Sequence, residues 1–358
     1  MKKQTVANYL SQLNHGIALS DDGKTLYASS SANVYSWTYD SKAVTLSDTN
    51  RTLVSNMSNS DHTTRTLLMS KQQPGTLLVS RGSQSNEDDE ARQLSSGHSQ
   101  IRSFDLTKLD NDSKPYDFLD GHVIGWGLRN SVGVVEHSDG GLWSVENSVD
   151  ELHRNGQDIH QDNPAEELNY HGTIDKPDGE DQGGNYGYPI CYAVWGTENF
   201  PDQGDLTTAD QFPDDDAPGN VTDDACNSEF ISPRLAFQAH TAPLDIKFDE
   251  SGENAYISFH GSCTFPLLSY PLSFYSFFCS LFHLTLSMLN SHCVSREPRK
   301  PGRLQNRQRS VQRRPAHCRP RQHRRSQRRP AHRGPLAVPG QLLPPRGPGM
   351  GLQGQAVV

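Results

Sequence analysis

Short apolar runs alternate with polar turns through residue 262, and one unit recurs. Each unit is a strand-like segment, a tight turn and a second strand carrying aliphatic or aromatic residues. It reads GIALSDDGKTLYASS around Asp22-Gly23, TLLMSKQQPGTLLVSRG around Pro74-Gly75, VGVVEHSDGGLWSVEN around Asp139-Gly140 and LDIKFDESGENAYISFHG around Ser251-Gly252. Asp-Gly and Pro-Gly between alternating apolar runs are hairpin signals. The turns lie 52, 65 and 112 residues apart, and the last interval is close to two periods. A further unit is therefore expected near residues 185–200, obscured by a long insertion. No long amphipathic helix interrupts the series. Hairpins at this spacing predict an all-β chain of the β-propeller type with about five blades and an incomplete ring; the unit is too long for the strand spacing of a sandwich. Between the units, SRGSQSNEDDEARQLSSGHSQ and DKPDGEDQGGNYGYP read as polar loops, where the sites of such folds usually lie.

Charge divides the 358-residue chain. Residues 264–358 hold 16 of its 33 Lys and Arg but one of its 42 acids, Glu297, giving +15 there and −24 over residues 1–263. So acidic a body argues against nucleic acid as a partner of the propeller. Residues 264–293 contain no Asp, Glu, Lys or Arg, long enough for a membrane span. Their Phe, Ser, Leu, Pro and Tyr, however, share pyrimidine-rich codons, so this run reads as translated intron and no membrane partner is expected. Residues 294–358 form a basic Arg/Pro-rich tail that repeats Gln-Arg-Arg-Pro-Ala-His. They read as a frame-shifted, disordered segment without the apolar surface to fold. A genuine low-complexity tail that binds acidic surfaces is the alternative.

Three features bear on compartment. Sequons for N-glycosylation occur at Asn50, Asn56, Asn111 and Asn220. Cys191 and Cys226 flank an Asp/Pro/Gly-rich loop and are candidates for a disulfide across it, with two buried thiols as the alternative. Both favour an extracytoplasmic setting. Against it, the start MKKQTVANYLSQLNHG shows no apolar signal-peptide core.

Five segments carry candidate chemistry in order: SDHTTRTLLMS, GWGLRNSVGVV, WSVENSVDELHRN, GGNYGYPICYAVW and QAHTAPLDIKF. From about Asn14 to Ser262 the chain resembles the soluble quinoprotein glucose/sorbosone dehydrogenase superfamily, nearest the fungal pyrroloquinoline-quinone-dependent pyranose dehydrogenases. The resemblance implies a six-bladed propeller, secreted, that oxidises the anomeric carbon of a sugar with pyrroloquinoline quinone and calcium. It also implies an external electron acceptor such as a cytochrome.

Carried over residue by residue, the resemblance makes His62 the base, because removing a hydroxyl proton suits an imidazole near neutral pKa. Arg129 and Asn130 would contact the quinone, a tricarboxylate that matches guanidinium forks. Arg65 and His240 are further cofactor candidates, His240 lining the central channel. The backbone carbonyls of Asn147 and Ser148 would bind calcium, an oxygen-seeking ion, with Asp150 bracing the loop. On the residues alone the alternatives stay open. His62 would be bonding a blade edge, Arg129 pairing with a surface acid, and Glu146–Glu151 forming an ordinary acidic turn. Tyr186 and Tyr188 would wall a sugar pocket or belong to a turn. Asp158, Asp162, Glu166 and Glu167 read as a solvated face.

After Ser262 the family's pattern stops in mid-blade, and its first blade and closing strands are not matched. Catalysis by the chain as written is therefore in doubt. A calcium-dependent lactonase-like hydrolase and a noncatalytic propeller remnant remain rival readings.

Overall fold

Each of the four expected turns joins two antiparallel strands in the computed structural model, which describes residues 12–110, 112–176 and 181–261 and the backbone of 280–285. All of these lie in Met1–Arg296, the first of the two units into which the chain divides. The hairpins pair Leu13–Leu19 with Thr25–Ser30, Leu67–Met69 with Thr76–Arg81, Ser131–Glu136 with Gly141–Glu146, and Pro243–Phe248 with Asn254–Phe259. Gly75 and Gly140 take φ of +86° and +88° at the reversals, a region L-residues rarely enter.

Outer strands extend each hairpin into a blade. The first blade adds Val34–Asp40 and Arg51–Ser55, and Tyr116–Asp117 returns to lie parallel on its edge. The second adds Gln100–Asp105 and His122–Trp126, with Gly184–Asn185 parallel on its edge. Glu166–Thr173 and Leu235–Phe237 complete the third. The fourth gains Ser280–Thr285, paired in register with Asn254–Phe259.

Two expectations are corrected here. Residues 185–200 do not build a blade. Gly184–Asn185 joins the second blade, and Cys191–Ala193 pairs with Gln211–Pro213 in a separate two-stranded excursion. The 112-residue interval is long because residues 174–234 intervene between the two outer strands of the third blade, so four blade sheets are present among the described residues, not five. Of the uncharged run, Ser280–Thr285 is the part that pairs with the fourth blade among the described residues. The expected disorder of 294–358, the chain start and the Asn111 sequon fall outside the described residues.

Blade-to-blade packing follows from strand alternation. Successive side chains of a strand point to opposite faces, so Leu77 and Val79 join Val34, Leu53, Val54 and Phe104 in the layer against the first blade. Leu78, between them, joins Ile124, Val134 and Leu142 in the layer against the third. Trp143, Val145 and Leu168 then meet Ile246 and Ile257 of the fourth. The middle strand Gly141–Glu146 is consequently buried on both faces.

The first and fourth blades share no strand pairing among the described residues, so the ring is not closed. The innermost strands show it: Ile17 is 67% exposed and Leu244 38%. A cavity of about 980 Å³ runs between them, lined by His15, Thr66, Val134, Leu244 and their neighbours. Among the described residues no helix is long and apolar enough to cross a membrane.

Candidate functional site

The sequence-predicted residues gather at one end of the blades, on the segments that enter and leave the inner hairpins, and not in the large cavity. His62 precedes the inner strand of the second blade, Arg129 and Asn130 that of the third, and His240 that of the fourth. Asn147, Ser148 and Asp150 follow the Gly141–Glu146 strand.

His62 is half-buried and takes φ +30°, an uncommon backbone state for a residue with a side chain. Its Nδ1 lies 2.8 Å from the Ser83 hydroxyl, and that hydroxyl donates to the Ser85 carbonyl at 2.7 Å. A hydroxyl has one proton to give. Ser83 must therefore accept from His62, which puts the imidazole proton on Nδ1 and leaves a bare lone pair on Nε2. Burial, and then the nearby Arg129 charge, push the His62 pKa below the usual histidine value. The neutral base is thus the resting form.

Arg65 holds this turn in place. It is fully buried, and its guanidinium donates to the carbonyls of Met57 (2.5 Å), His62 (2.7 Å) and Thr64 (2.6 Å). Burial lowers its pKa to about 9, which still leaves it charged at neutral pH. The expectation that Arg65 contacts a cofactor is corrected: it lies behind His62 and pins the strained backbone.

Gly82 separates His62 from Asn130. A Cβ there would fall 2.8 Å from the His62 Cβ and 2.6 Å from Asn130 Oδ1, so only glycine lets the two side chains approach a common point. The Asn130 amide has no hydrogen-bond partner among the described residues. Arg129, 4% exposed, anchors the other side. Its Nε donates to the Asn86 carbonyl at 2.9 Å and its Nη2 to Asn86 Oδ1 at 2.7 Å. Its Nη1 donates to the carbonyls of Asn147 (3.3 Å) and Ser148. Asp150 stands 3.7 Å from Nη2 and also 3.9 Å from His240 Nδ1.

His240 takes φ +59° and its Nε2 bonds the His160 carbonyl. It belongs to this loop cluster and is not among the residues that line the cavity of about 980 Å³. Tyr186 and Tyr188 do not wall an open pocket either. Both are buried, Tyr186 bonding the Tyr170 carbonyl and Tyr188 the Asn86 carbonyl at 3.0 Å. Cys191 and Cys226 form a disulfide, with Cα atoms 5.7 Å apart, that closes the excursion beneath Tyr188.

Beneath the site lie three buried carboxylates that the sequence reading missed or placed on a solvated face: Glu146, Glu166 and Glu167. Glu146 accepts the Arg129 amide at 2.5 Å. Glu166 accepts the Ser148 amide at 2.8 Å and the Ala242 amide at 3.1 Å, tying the loop after the third hairpin to the approach to the fourth. Burial raises Glu166 to about 7. The signal available in the sequence was weak: Glu166 and Glu167 open a strand whose next apolar residue, Leu168, gives no hint that both acids are buried, one on each face.

The carbonyls of Asn147 and Ser148 converge on one point, and that point already holds positive charge, Arg129 Nη1. They are oxygen donors of the kind calcium takes, each with a second lone pair beyond the arginine bond, and the Asp150 carboxylate stands next to them. The donor set therefore fits a calcium ion in kind. For a tricarboxylate cofactor, the fitting groups are the buried Arg129, the unpartnered Asn130 amide and the His62 imidazole.

A family match decides the affiliation. The TrAA12-like family covers residues 1–272. The chain belongs to that family. It is 57% identical over 252 residues to a pyrroloquinoline quinone-dependent sugar dehydrogenase of Hypocrea jecorina, covering 70% of this chain and 58% of that one. It is 40% identical over 256 residues to a pyrroloquinoline quinone-dependent pyranose dehydrogenase of Coprinopsis cinerea, covering 70% of this chain and 34% of that one. Among solved structures, the calcium structure of the Trichoderma reesei family AA12 protein superposes with a TM-score of 0.69 at 56% identity, over 71% of this chain and 62% of that one. The holo pyranose dehydrogenase quinone domain of Coprinopsis cinerea gives 0.64 at 39%, over 70% and 61%. This TrAA12-like chain thus spans less than two thirds of the length of the relatives it matches.

Proposed function

We propose that the chain carries the catalytic face of a sugar dehydrogenase that uses pyrroloquinoline quinone and calcium. The observation that carries this reading is the bare Nε2 of His62 beside the unpartnered Asn130 amide, with the buried Arg129 charge behind both. In this reading His62 Nε2 takes the proton of the anomeric hydroxyl, and Ser83 holds the Nδ1 proton so that the tautomer is already correct. The bound quinone supplies the two-electron acceptor for the hydride that leaves the same carbon. Arg129 would supply positive charge to the bound cofactor, and Asn130 would offer it a free amide. Asn147, Ser148 and Asp150 would hold the calcium. The names of the relatives support a sugar substrate, and an electron acceptor outside the chain would reoxidise the cofactor. The Cys191–Cys226 bridge supports an oxidising, extracellular setting.

The chain's basic and uncharged segments after residue 263 are read as a retained intron followed by a shifted frame, which sequencing of the transcript across codons 255–300 tests. Function is tested by titrating the full chain with the quinone and calcium, then supplying sugars and a dye acceptor. Quinone-dependent dye reduction supports the dehydrogenase. Calcium-dependent lactone cleavage without quinone binding would support the hydrolase instead, and neither activity would leave a binding remnant.

A further inference from the structure

Within the polar loop between Gly82 and Gly97, one residue, Asn86, touches Arg129, the 147–150 segment and Tyr188 at once. Its carbonyl accepts from Arg129 Nε at 2.9 Å and from the Tyr188 hydroxyl at 3.0 Å. Its side-chain oxygen accepts from Arg129 Nη2 at 2.7 Å and from the Asp150 amide at 3.0 Å. Both oxygens thus serve two donors each. The two bonds on Oδ1 also fix which end of the amide is oxygen, since an NH2 group there would face two donors.

Asn86 is itself held. Ser83 N–H donates to the Arg129 carbonyl at 2.8 Å, the Ser60 hydroxyl to the Gln84 carbonyl at 2.8 Å, and Gln84 N–H to Asp88 at 2.7 Å. Asp88 is buried, caps the short helix Asp89–Arg92 and pairs with the buried His98 at 2.9 Å. The loop is therefore a built support for one contact, not a slack connection.

We propose that Asn86 is a positioning residue that couples Arg129 to the 147–150 segment, so that the charge facing the cofactor and the oxygen donors facing the metal are set as one unit. The reasoning is geometric. Arg129 Nη1 points at the Asn147 and Ser148 carbonyls because Nε and Nη2 are docked on Asn86; a guanidinium is planar, so fixing two nitrogens fixes the third. The same Oδ1 holds the Asp150 amide and hence the turn that presents those carbonyls. Removing Oδ1 releases the Asp150 amide and Arg129 Nη2 together, leaving Arg129 with only its Nε bond to the Asn86 carbonyl on this side. This inference rests on the proposed function for its consequence, though not for the contact itself.

The test uses the full chain with Asn86→Ala and Asn86→Asp. Aspartate keeps an acceptor at Oδ1, so it should preserve the two side-chain bonds that alanine removes. Amide hydrogen exchange reads the contact without any cofactor. The Asp150 amide should exchange faster in Asn86→Ala than in Asn86→Asp, while the Ser148 amide, held by Glu166, stays protected in both. Quinone titration with and without calcium chloride reads the consequence. Asn86→Ala should weaken quinone binding roughly tenfold, the size expected for losing hydrogen bonds to a charged group, and should raise the calcium concentration needed for half-maximal binding. Should Asn86→Ala fail to fold, exchange at Asp150 in Asn86→Asp against the unsubstituted chain decides, because faster exchange there overturns the clamp. Equal Asp150 exchange in all three proteins, or unchanged quinone and calcium affinity in Asn86→Ala, also overturns the proposal. An unsubstituted chain that binds no quinone would refute the functional reading alone.

Discussion

Glu146 and Glu167 face each other across paired strands and share a single donor, the Asn169 amide nitrogen, at 3.1 and 3.0 Å. Both carboxyls are buried. Burial raises Glu167 to about 7, and burial with the neighbouring Glu167 charge raises Glu146 well above the ordinary carboxylate range. The folded chain therefore retains protons that the unfolded chain releases near pH 4.3. Such a contribution is fully present below the unfolded value and is lost as pH rises through about 7. Glutamine imitates the protonated acid, so Glu167→Gln should gain stability relative to the parent as pH rises from 5 to 8. Urea denaturation at both pH values checks this; an equal offset at the two would mean the pair does not hold a proton.

His62→Ala should lower turnover at least about 100-fold, the usual contribution of a general base, and leave quinone binding nearly unchanged. The acid limb of the pH profile should lie below the ordinary histidine value, since burial and Arg129 hold the His62 pKa down. Activity should rise with pH through that limb, because the base must be unprotonated. Steady-state rates from pH 4 to 8, alongside a quinone titration, measure both. A limb above the histidine value would remove His62 from the role.

Arg129→Lys should weaken quinone binding and rate together. A lysine keeps the charge but cannot span Asn86, Asn147 and Ser148, which one guanidinium now bridges. A variant that loses only thermal stability would place Arg129 in a purely structural role.

Arg65→Met should leave the carbonyls of Met57, His62 and Thr64 without their donor inside the protein. A loss on the order of 3 kcal/mol in folding stability is expected, together with a fall in turnover as His62 leaves its φ +30° backbone. Denaturation and kinetics on the same preparation test the coupling. Lost stability with turnover intact would show that the turn does not depend on Arg65.

The pair Cys191→Ser, Cys226→Ser should open the excursion while sparing the blades. The bridge spans 35 residues of sequence, and removing a native bridge typically costs about 2–5 kcal/mol. Limited proteolysis should then cut first between residues 191 and 226. Cleavage that begins within the blades instead would show that the bridge supports the whole fold.

The hairpins were legible because a Gly-containing turn between apolar runs is a local feature, and all four such turns are where the pattern put them. The blade count was not, because the interval between Asp139 and Ser251 mixes two outer strands with an excursion whose own strand, Cys191–Ala193, pairs outside the blades. His62, Arg129 and Asn130 were found through their motifs and do meet near Gly82. Arg65 was misassigned since sequence shows a charge beside the base but not which way it points. Glu166 and Glu167 were misread for the converse reason. Acids are mostly exposed, and only the donors from Ser148, Ala242 and Asn169, distant or unremarkable in sequence, make their burial tolerable. Ser83 and Asn86 sat in a stretch whose polarity signalled a loop and nothing of what it held.

His62 enters on the second blade, Arg129 and the Asn147–Asp150 segment on the third, and His240 on the fourth, so no blade contains a working fraction of the site. Misalignment of one interface layer, such as that between Leu78 and Leu142, would displace the imidazole from the guanidinium while leaving every sheet intact. On the proposed function, quinone affinity would then be a gauge of assembly. It should vanish before circular dichroism records any loss of strand, and a chain that keeps its β signal has not by that measure kept its site.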